Sequence, residues 1–343
     1  LVDVQTEKEQ VAPGGLFNAF ISARDLPVFW DAWDIDSDYT RHIVPENTLE
    51  STRVVSDGPL CIRIRRSYKI GEASRLIQDM ICYTDTRRID FDTKVDWREK
   101  RRLLKVSFDT AISATEVRCE TQYGHLFRNT HKNLPQDRAK FEICAHKWIS
   151  LEEEGSGIGL LNDCKYGHDV SGGRMRLTLL RSPLAPDPEA DQGEQRFTYA
   201  LLPWTGSFNE SGVVRSAYEL NTKIGIENIP GTAAETDARF SLCSPDNPAL
   251  IVESIKAPEA DADKTQKRLL VRLYESSGSH RTGNLRFNRP VASIEETDML
   301  EENGRVVQCA GSCIPLAFKP FEIKTLLVSF YQDTNQGAMR NDE

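Results

Sequence analysis

The stretch RIDFDTKVDW (88–97) decides the fold class, because its apolar and charged residues alternate one by one. The apolar residues fall on odd positions: Ile89, Phe91, Val95 and Trp97. The aspartates fall between them: Asp90, Asp92 and Asp96. Successive side chains of a β-strand point to opposite faces. The stretch therefore predicts a strand with one buried face and one wet face.

The same alternation continues in both directions along the chain. Four neighbouring stretches share it: CIRIRRSYKI (61–70), RLIQDMICYT (75–84), LKVSFDTAI (104–112) and TEVRCETQYG (115–124). Further strands are predicted at 157–162, 174–181, 195–202, 249–255, 268–274 and 322–330, and only 211–220 has a short helical pattern. Many strands joined by Gly, Pro and Asn turns predict stacked antiparallel sheets, that is, an all-β sandwich.

Length and composition predict one large or two medium globular domains. The chain has 343 residues, of which 39% are hydrophobic and 28% charged, and it holds no run of about 18 apolar residues of the kind that spans a membrane. IENIPGTAAETD (226–237) predicts a domain boundary. A polar insert at 257–267 and a frayed tail at 333–343 are also expected.

The net charge and the cysteine pattern limit the classes of partner and the cellular compartment that we expect. A net charge of −9 argues against nucleic-acid binding, which relies on clustered Lys and Arg. The basic run REKRRLLK (98–105) is the exception, and we expect it to be a solvated strand end or turn. The eight cysteines include no CxxC pair, which favours free thiols in a reducing, cytoplasmic compartment and leaves disulfides open.

The stretch FEICAHKWISLEEEGSGIGLLNDCKYG (141–167) has the look of an active site. Its apolar spacing instead predicts two core strands, FEICAHKW and IGLLND, joined by the turn LEEEGSG. No histidine pair has HExxH spacing, and no GxSxG elbow, Walker loop or GxGxxG motif occurs. Only the end of the stretch, NDCKYG, remains a candidate for ligand binding.

Two other segments could carry function. WDAWDID (30–36) combines Trp30 and Trp33 with three aspartates, a composition that suits a sugar site, a metal site, or a plain loop with its tryptophans packed on the core. LLRSPLAPDPEADQG (179–193) is a loop stiffened by three prolines and bearing Arg181, Asp187, Glu189 and Asp191. Such a loop reaches toward a ligand or a partner domain, or covers a sheet edge.

Seven motifs together resemble glycoside hydrolase family 38, and most closely its cytosolic and bacterial α-mannosidase branch. They are WDAWDID, YGHLFRNTHKN, RAKFEICAHKWISLEEEGSGIGLLNDCKYG, LTLLRSPLAPDPEADQG, FTYALLPWTGSF, AYELN, and RLYES with PLAFKPFEIKTLLV. The resemblance runs from about Gly14 to about Phe330, in the order of the family.

The resemblance implies the C-terminal part of a retaining, zinc-dependent α-mannosidase that removes terminal α-linked mannose from oligosaccharides. It implies a large supersandwich of the galactose-mutarotase type over 1–230, without its opening strands, and a smaller sandwich over 231–343. In the family an N-terminal α/β barrel supplies the nucleophile and the zinc ligands. No catalytic residue and no metal ligand are therefore assigned to this chain, which is expected to be inactive alone.

The resemblance also nominates residues that contact the substrate or order a loop. Arg181, Asp187 and Asp191 come first, followed by Asp163, Lys165 and Tyr166, with Asp31 and Asp34 as loop-fixing groups. The implied partners are a mannose-containing oligosaccharide and the barrel of the same enzyme. The alternative is a stand-alone carbohydrate-binding or structural module. A sugar epimerase would instead need His125 or His146 facing Glu142 or Glu120.

Overall fold

The structure is a computed structural model, and it describes residues 1–4, 6–44, 47–227, 240–259, 268–309 and 311–331. The predicted boundary at 226–237 and the predicted insert at 257–267 lie largely outside these residues, and the predicted tail at 333–343 lies wholly outside them. The chain divides into two compact units. The first comprises Leu1–Gln122 and Leu126–Gly225, and the second comprises Tyr123–His125 and Ile226–Glu343. The domain limits at 230 and 231 stay a prediction.

The first unit carries two antiparallel sheets. Its strands are β1 (Phe17–Arg24), β2 (Ile43–Val44), β3 (Thr48–Asp57), β4 (Cys61–Ile70), β5 (Ser74–Tyr83), β6 (Ile89–Trp97), β7 (Arg102–Asp109), β8 (Glu116–Thr121), β9 (Gly124–Asn129), β10 (Ile143–Cys144), β11 (Trp148–Glu153), β12 (Ser156–Asn162), β13 (Gly167–Ser171), β14 (Arg174–Leu180) and β15 (Gly193–Thr205). One sheet has the order β3-β4-β5-β6-β15-β12-β11-β8-β9, and the other β10-β13-β14-β7-β1-β2. The prediction of an all-β antiparallel sandwich is confirmed.

The core of this unit lies between the two sheets. Leu104, Val106 and Phe108 of β7 are buried together with Phe91 of β6 and Tyr199 of β15. The Phe91 and Tyr199 rings stack at 5.1 Å. β6 is a central strand, paired with β5 and β15. On its apolar face Phe91, Val95 and Trp97 are buried in the core and Ile89 is half-buried. The alternation in RIDFDTKVDW thus places the core as expected.

The face of β6 that was predicted to be solvated is only partly solvated, which corrects the prediction. Asp92 is exposed, but Asp90 is buried. Arg88 Nε donates to Asp90 Oδ1 over 2.7 Å, and the hydroxyl of Tyr83 donates to the other oxygen over 2.9 Å. A buried carboxylate is tolerated when it is paired and hydrogen-bonded in this way.

The basic run 98–105 is also not uniformly solvated. Arg98, Lys100 and Arg101 are exposed, whereas Arg102 and Lys105 are buried. The run changes from a loop into β7 at Arg102. Lys105 lies on the strand face opposite to Leu104 and Val106, where its ammonium binds Glu142 over 2.6 Å. Arg102 Nη2 lies 3.7 Å from Glu72 Oε1. The prediction of a solvated segment was wrong for these two residues.

The segment FEICAHKW does not form one core strand, contrary to the prediction. Its centre is the two-residue strand β10, which pairs with β13 in the six-stranded sheet. The core strand begins only at Trp148 and pairs with β12. The turn between β11 and β12 is Glu154–Gly155, because Gly155 takes a φ of +78° that suits glycine. The rest of LEEEGSG belongs to the strands.

Helices are short. Helix α1 (Pro135–Ala139) was not predicted, while α2 (Val213–Asn221) lies where the helical pattern indicated. Two 3₁₀ turns occupy Ser37–Arg41 and Phe208–Glu210. In the part of the chain that the structure describes, we find no helix of the length and hydropathy that crossing a bilayer requires. All eight cysteines are free thiols.

The second unit is a smaller sandwich. Its strands are β16 (Cys243–Pro245), β17 (Leu250–Lys256), β18 (Arg268–Glu275), β19 (Arg281–Phe287), β20 (Val291–Thr297), β21 (Arg305–Val306), β22 (Cys313–Phe318) and β23 (Ile323–Phe330). They form sheets of order β16-β19-β22 and β17-β18-β23-β20-β21. Leu273 and Val328 of one sheet pack with Leu285 and Ile314 of the other in a separate core. Each unit therefore has its own hydrophobic core.

Candidate functional site

The predicted site residues lie at one edge of the first unit. The pairing of Arg24 with Arg102 brings the end of β1 to the start of β7, and Leu104 pairs with Leu180 near the end of β14. His168 pairs with Leu177, so the start of β13 lies at the same edge. Three connections leave the sheets there: 25–36, 181–192 and 163–166.

Arg181 joins the first two of these connections. Its Nε donates to Asp25 Oδ2 over 2.6 Å, and its Nη2 donates to the carbonyl oxygens of Asp31, over 3.1 Å, and Asp34. Its backbone N–H donates to Asp191 Oδ2 over 2.8 Å. Burial raises the pKa of Asp25, an effect that the adjacent Arg181 guanidinium opposes. Arg181 therefore orders the loops, and we name 25–36 and 181–192 the arginine-fixed loops.

The carboxylates of WDAWDID serve the same purpose. Asp31 Oδ2 accepts the backbone N–H groups of Leu184 and Ala185, over 2.7 and 3.2 Å. Asp36 Oδ2 accepts the N–H of Val28 over 3.0 Å. These acceptors close the loop on itself and on its neighbour.

The tryptophans of WDAWDID do not pack on the core, which overturns that interpretation of the motif. Trp30 is 71% exposed and Trp33 is 72% exposed. Trp30 has a φ of +59°, a conformation that costs free energy in a bulky residue. The turn is closed by the N–H groups of Trp33 and Asp34, each donating to the Trp30 carbonyl over 2.8 Å. The indole rings are thus held outward by an ordered backbone.

Asp187 stands at the far end of the second arginine-fixed loop. It is exposed, and its Oδ1 accepts the N–H of Glu189 over 2.9 Å in a local turn. Asp191 lies closer to the sheet, with a φ of +62° that directs its carboxylate back to Arg181. The structure thus brings Arg181, Asp191, Asp31 and Asp34 together, but not Asp187.

The connection 163–166 is a compact turn fixed by amide groups. Asn162 Oδ1 accepts the N–H of Lys165 over 2.7 Å, and its Nδ2 donates to the carbonyl of His146 over 2.7 Å. Asp163 Oδ2 accepts the N–H of Thr198 over 3.0 Å. The turn is therefore attached to β15 and to the segment that precedes β11.

The outward groups of the same turn are largely free. Lys165 Nζ lies 4.8 Å from the centre of the Phe197 ring, a cation–π contact. The Tyr166 ring is 49% exposed and lies 5.1 Å from the His146 ring, and its hydroxyl has no hydrogen bond to any residue that the structure describes. Asp163 Oδ1, in contrast, is buried. The Lys165 ammonium and the Tyr166 hydroxyl are therefore the groups of this turn that can still bind a ligand.

Two titratable groups flank the turn. Burial, together with the carboxylate of Asp163, raises the pKa of the Cys164 thiol to about 12, which keeps it protonated at neutral pH. Burial lowers the pKa of His168 to about 3. His168 Nδ1 lies 3.2 Å from the Tyr166 carbonyl oxygen, and because a carbonyl only accepts, Nδ1 carries the proton. His168 is thus a neutral support for the turn.

The glutamates that an epimerase would need are engaged elsewhere. Lys105 Nζ donates to Glu142 Oε1 over 2.6 Å, and the Tyr39 hydroxyl donates to the same oxygen over 3.0 Å. Glu120 accepts the backbone N–H of Lys147 over 2.8 Å and its ammonium over 3.2 Å. Glu142 and Glu120 are thus bound to lysines of the described part of the chain.

The donor groups do not fit a zinc site. Among the described residues, no three or more His, Cys, Asp or Glu side chains lie close enough to hold a metal ion. The carboxylates of the arginine-fixed loops are bound to backbone N–H groups and to Arg181, as described above. We therefore derive no chemical step through a metal on this chain.

Comparisons with known proteins agree with the motifs. Residues 1–189 match the family described as "Glycosyl hydrolases family 38 C-terminal domain", and residues 249–326 match the "Glycosyl hydrolases family 38 C-terminal beta sandwich domain". The chain belongs to glycosyl hydrolase family 38. The predicted resemblance is confirmed.

The relatives are α-mannosidases. "Alpha-mannosidase 2C1" of Mus musculus is 37% identical over 338 residues, which are 98% of this chain and 32% of that protein. "Alpha-mannosidase G" of Dictyostelium discoideum is 37% identical over 336 residues, 95% of this chain and 30% of that protein. This family 38 chain thus spans about a third of the length of the curated relatives it matches.

A solved structure supports the fold. An α-mannosidase from Enterococcus faecalis superposes with a TM-score of 0.71 at 15% sequence identity, covering 96% of this chain and 40% of that one. At that identity the likeness concerns the fold alone. It agrees with the two sandwiches of this family 38 chain.

Sequence reasoning missed three residues of the edge. Asp25 follows a strand in the ordinary sequence ARDLP and has no motif of its own. Asn162 stood inside NDCKYG but was not nominated as a site residue, although Asn and Asp side chains commonly bind the backbone of turns. His168 is one residue beyond that motif, and nothing in its neighbours signals a buried ring.

Proposed function

We propose that this chain is the C-terminal β region of a zinc-dependent, retaining α-mannosidase that removes terminal α-linked mannose from oligosaccharides. The observation that carries the proposal is the match to α-mannosidases of mouse and yeast over 98% and 91% of the chain. In this proposal the barrel, the nucleophile and the zinc belong to the part of a cytoplasmic parent enzyme outside this chain. The chain alone is inactive.

The proposed role of the chain is to complete the glycan site from the edge described above. Lys165 and Tyr166 support this role because an ammonium and a phenol donate to sugar hydroxyls, and both lie on a turn with a fixed backbone. Asp163 supports the turn in this proposal, because its Oδ1 is buried and its Oδ2 accepts the N–H of Thr198. Donors and acceptors on a fixed backbone favour binding, because little ordering is needed when the ligand arrives.

The other predicted residues take a different part in the proposal. Arg181 and Asp191 are loop-ordering groups, since their polar atoms bind protein partners. Asp31 acts with them through Leu184 and Ala185. Asp187 is exposed, and we propose it as an outer substrate contact.

An assay of the chain with and without the rest of the parent enzyme tests the proposal. The parent is expected to hydrolyse a chromogenic α-mannoside, and the chain alone is expected not to. Lys165→Met in the parent should raise KM for a mannose oligosaccharide severalfold, whereas Lys319→Met, at an exposed lysine of the second unit, should not. Hydrolysis by the chain alone would overturn the proposal.

A stand-alone carbohydrate-binding module is the second candidate. The exposed indole rings of Trp30 and Trp33 favour it, because flat aromatic faces stack on the C–H faces of sugars. Calorimetric titration of the chain with mannose and mannobiose separates the two candidates. Clear affinity without the rest of the enzyme favours the module.

A further inference from the structure

The first arginine-fixed loop exposes more apolar surface than a free surface usually does. Besides the two tryptophans, Leu26 is 51%, Val28 75% and Phe29 72% exposed. We call residues 26–33 the aromatic loop. Apolar side chains clustered in this way on a soluble protein mark a surface that binds a partner.

The aromatic loop is held at both ends. On one side Arg181 binds the carbonyl groups of Asp31 and Asp34 and the carboxylate of Asp25. On the other side Tyr39 is buried, and its hydroxyl oxygen lies 3.0 Å from a carboxylate oxygen of Asp169 and of Glu142, which share its one proton. The exposed rings are therefore presented by a preorganised backbone, which lowers the entropy lost on binding.

The Tyr39 attachment rests on a balanced set of charges. Lys105 Nζ lies 5.3 Å from the centre of the Tyr39 ring, and Arg176 donates to Asp169 over 3.1 Å. Two cations thus face the two carboxylates, Glu142 and Asp169, on the outer face of the six-stranded sheet. A buried set of this kind holds a segment in one position, because breaking any pair leaves an uncompensated charge.

The polar atoms of the aromatic loop argue against a sugar as its ligand. Sugar binding needs acceptors for hydroxyl groups beside the aromatic face. Three of the carboxylates here already bind backbone groups or Arg181: Asp31 binds Leu184 and Ala185, Asp36 binds Val28, and Asp25 binds Arg181. The exposed surface of residues 26–33 is mostly apolar, which suits the core of a protein interface.

The charges around the aromatic loop describe the partner. Asp34 and Asp38 are exposed beside it, as are Asp187 and Glu189 on the neighbouring loop. Exposed cations lie there too: Arg24 and Arg101 adjoin Asp25, and Arg41 ends the 3₁₀ turn that follows the loop. A complementary surface is therefore apolar at its centre, with charges of both signs at its rim.

We propose that the aromatic loop docks on the part of a family 38 enzyme that lies outside this chain, through an apolar surface. The inference rests on the proposed function. Its further support is length: the aligned region is 32% and 31% of the mammalian relatives, so most of such an enzyme lies beyond the residues matched here. The loop falls within the region matched as a C-terminal domain, residues 1–189.

Photo-cross-linking in the full parent enzyme tests the docking. A benzophenone amino acid replaces Phe29, and the cross-linked peptides are identified by mass spectrometry. We expect cross-links to residues upstream of the segment that this chain represents. The control places the same group at Leu60, which is 77% exposed in the turn between β3 and β4. Cross-linking no stronger than at Leu60, or only between two copies of the enzyme, overturns the proposal.

Tryptophan quenching supplies a second measurement. The chain has five tryptophans, and Trp97, Trp148 and Trp204 are buried. The difference between wild type and the Trp30→Phe/Trp33→Phe variant therefore isolates the aromatic loop. We expect acrylamide to quench this difference signal in the chain alone and at least about threefold less in the parent, because docking excludes water from the rings. Protection of the chain alone by mannobiose would instead identify a sugar site and overturn the docking.

Neither measurement requires catalysis, so a failure of the docking proposal can be distinguished from a failure of the proposed function. An inactive parent with upstream cross-links contradicts the proposed function but keeps the docking. An active parent without them contradicts the docking alone.

Discussion

The arginine-fixed loops and the turn 163–166 lie at the same edge but use their polar atoms in opposite ways. The arginine-fixed loops use their charged and polar atoms on one another and leave aromatic rings outside. The turn 163–166 uses backbone and amide groups for its own support and leaves an ammonium and a phenol outside. The first arrangement suits an apolar protein surface, and the second suits hydroxyl groups. Neighbouring loops can thus serve different partners although both are rich in charge.

The difference follows from the side chain that does the fixing. A guanidinium has five N–H donors in a rigid fork, so Arg181 can hold two loops through a carboxylate and two carbonyls at once. An amide such as that of Asn162 has fewer bonds to offer and holds only its own turn and one neighbour. Removing a guanidinium such as that of Arg181 should therefore lower the free energy of unfolding more than removing an amide such as that of Asn162.

The largest effect is expected from Arg181→Ala. The substitution leaves Asp25, which is 2% exposed, as a buried carboxylate without its cation. Breaking one side of a buried pair costs about 3 kcal/mol. Urea unfolding of the chain should show that loss, and hydrogen exchange should rise in the arginine-fixed loops but not in the turn 163–166.

Two variants check the cause of the loss. Arg181→Lys keeps a positive charge but not the fork, and it should recover only part of the stability. Asp25→Asn in the Arg181→Ala background removes the uncompensated charge and should recover part as well. Because burial raises the pKa of Asp25, the penalty in Arg181→Ala should shrink as the pH falls and that carboxyl takes up a proton. A penalty that is the same at every pH would contradict this account.

The contrast also explains what the sequence could and could not predict. The β-strands and the two sandwiches were predictable, since alternation within ten residues marks the buried face, as in β6. The support of the turn 163–166 was within reach, because Asn162 and Lys165 are separated by three residues. The partners of Arg181 could not be predicted from the sequence, because Arg181 and Asp25 are separated by 156 residues and no local pattern indicates such a pair.

The orientation of the two tryptophans was misread for the same reason. An aromatic residue in a loop packs inward unless its backbone is held elsewhere, and here long-range bonds to Arg181, Leu184 and Ala185 hold it. Asp90 and Lys105 were likewise expected in water, but partners on adjacent strands or loops allow their burial. Which polar residues are buried thus depends on contacts that only the fold creates.

The second largest effect on stability is expected below pH 7, where the unfolded chain protonates His168. Its folded pKa is about 3 and its ordinary value is 6.5. Between these values the unfolded chain binds a proton that the folded chain does not, so stability falls as the pH falls below 6.5. From pH 7 to pH 5 the loss is about 2 kcal/mol. Urea unfolding at both pH values measures it.

His168→Gln separates this effect from other titrations. The amide keeps a donor for the Tyr166 carbonyl but has no proton to bind, so the share of the pH dependence that His168 contributes should disappear. The matched control is His280→Gln, at an exposed histidine of the second unit, which should leave the slope unchanged. A slope that survives in His168→Gln would place the acid sensitivity in other groups, and the turn would then not depend on a neutral ring.

The smallest effect on stability is expected from Tyr166→Phe, and it decides whether the turn 163–166 differs in kind from the arginine-fixed loops. The hydroxyl has no hydrogen bond to a described residue and the ring is half exposed, so the free energy of unfolding should change by less than about 0.5 kcal/mol. In the parent enzyme the same variant should lose about one hydrogen bond to the sugar, which corresponds to a roughly fivefold rise in KM for a mannose oligosaccharide. Tyr331→Phe, at an exposed tyrosine of the second unit, is the control for both measurements. A stability loss as large as that of Arg181→Ala would mean that the phenol holds the fold, and the turn would then have no free donor to offer a glycan.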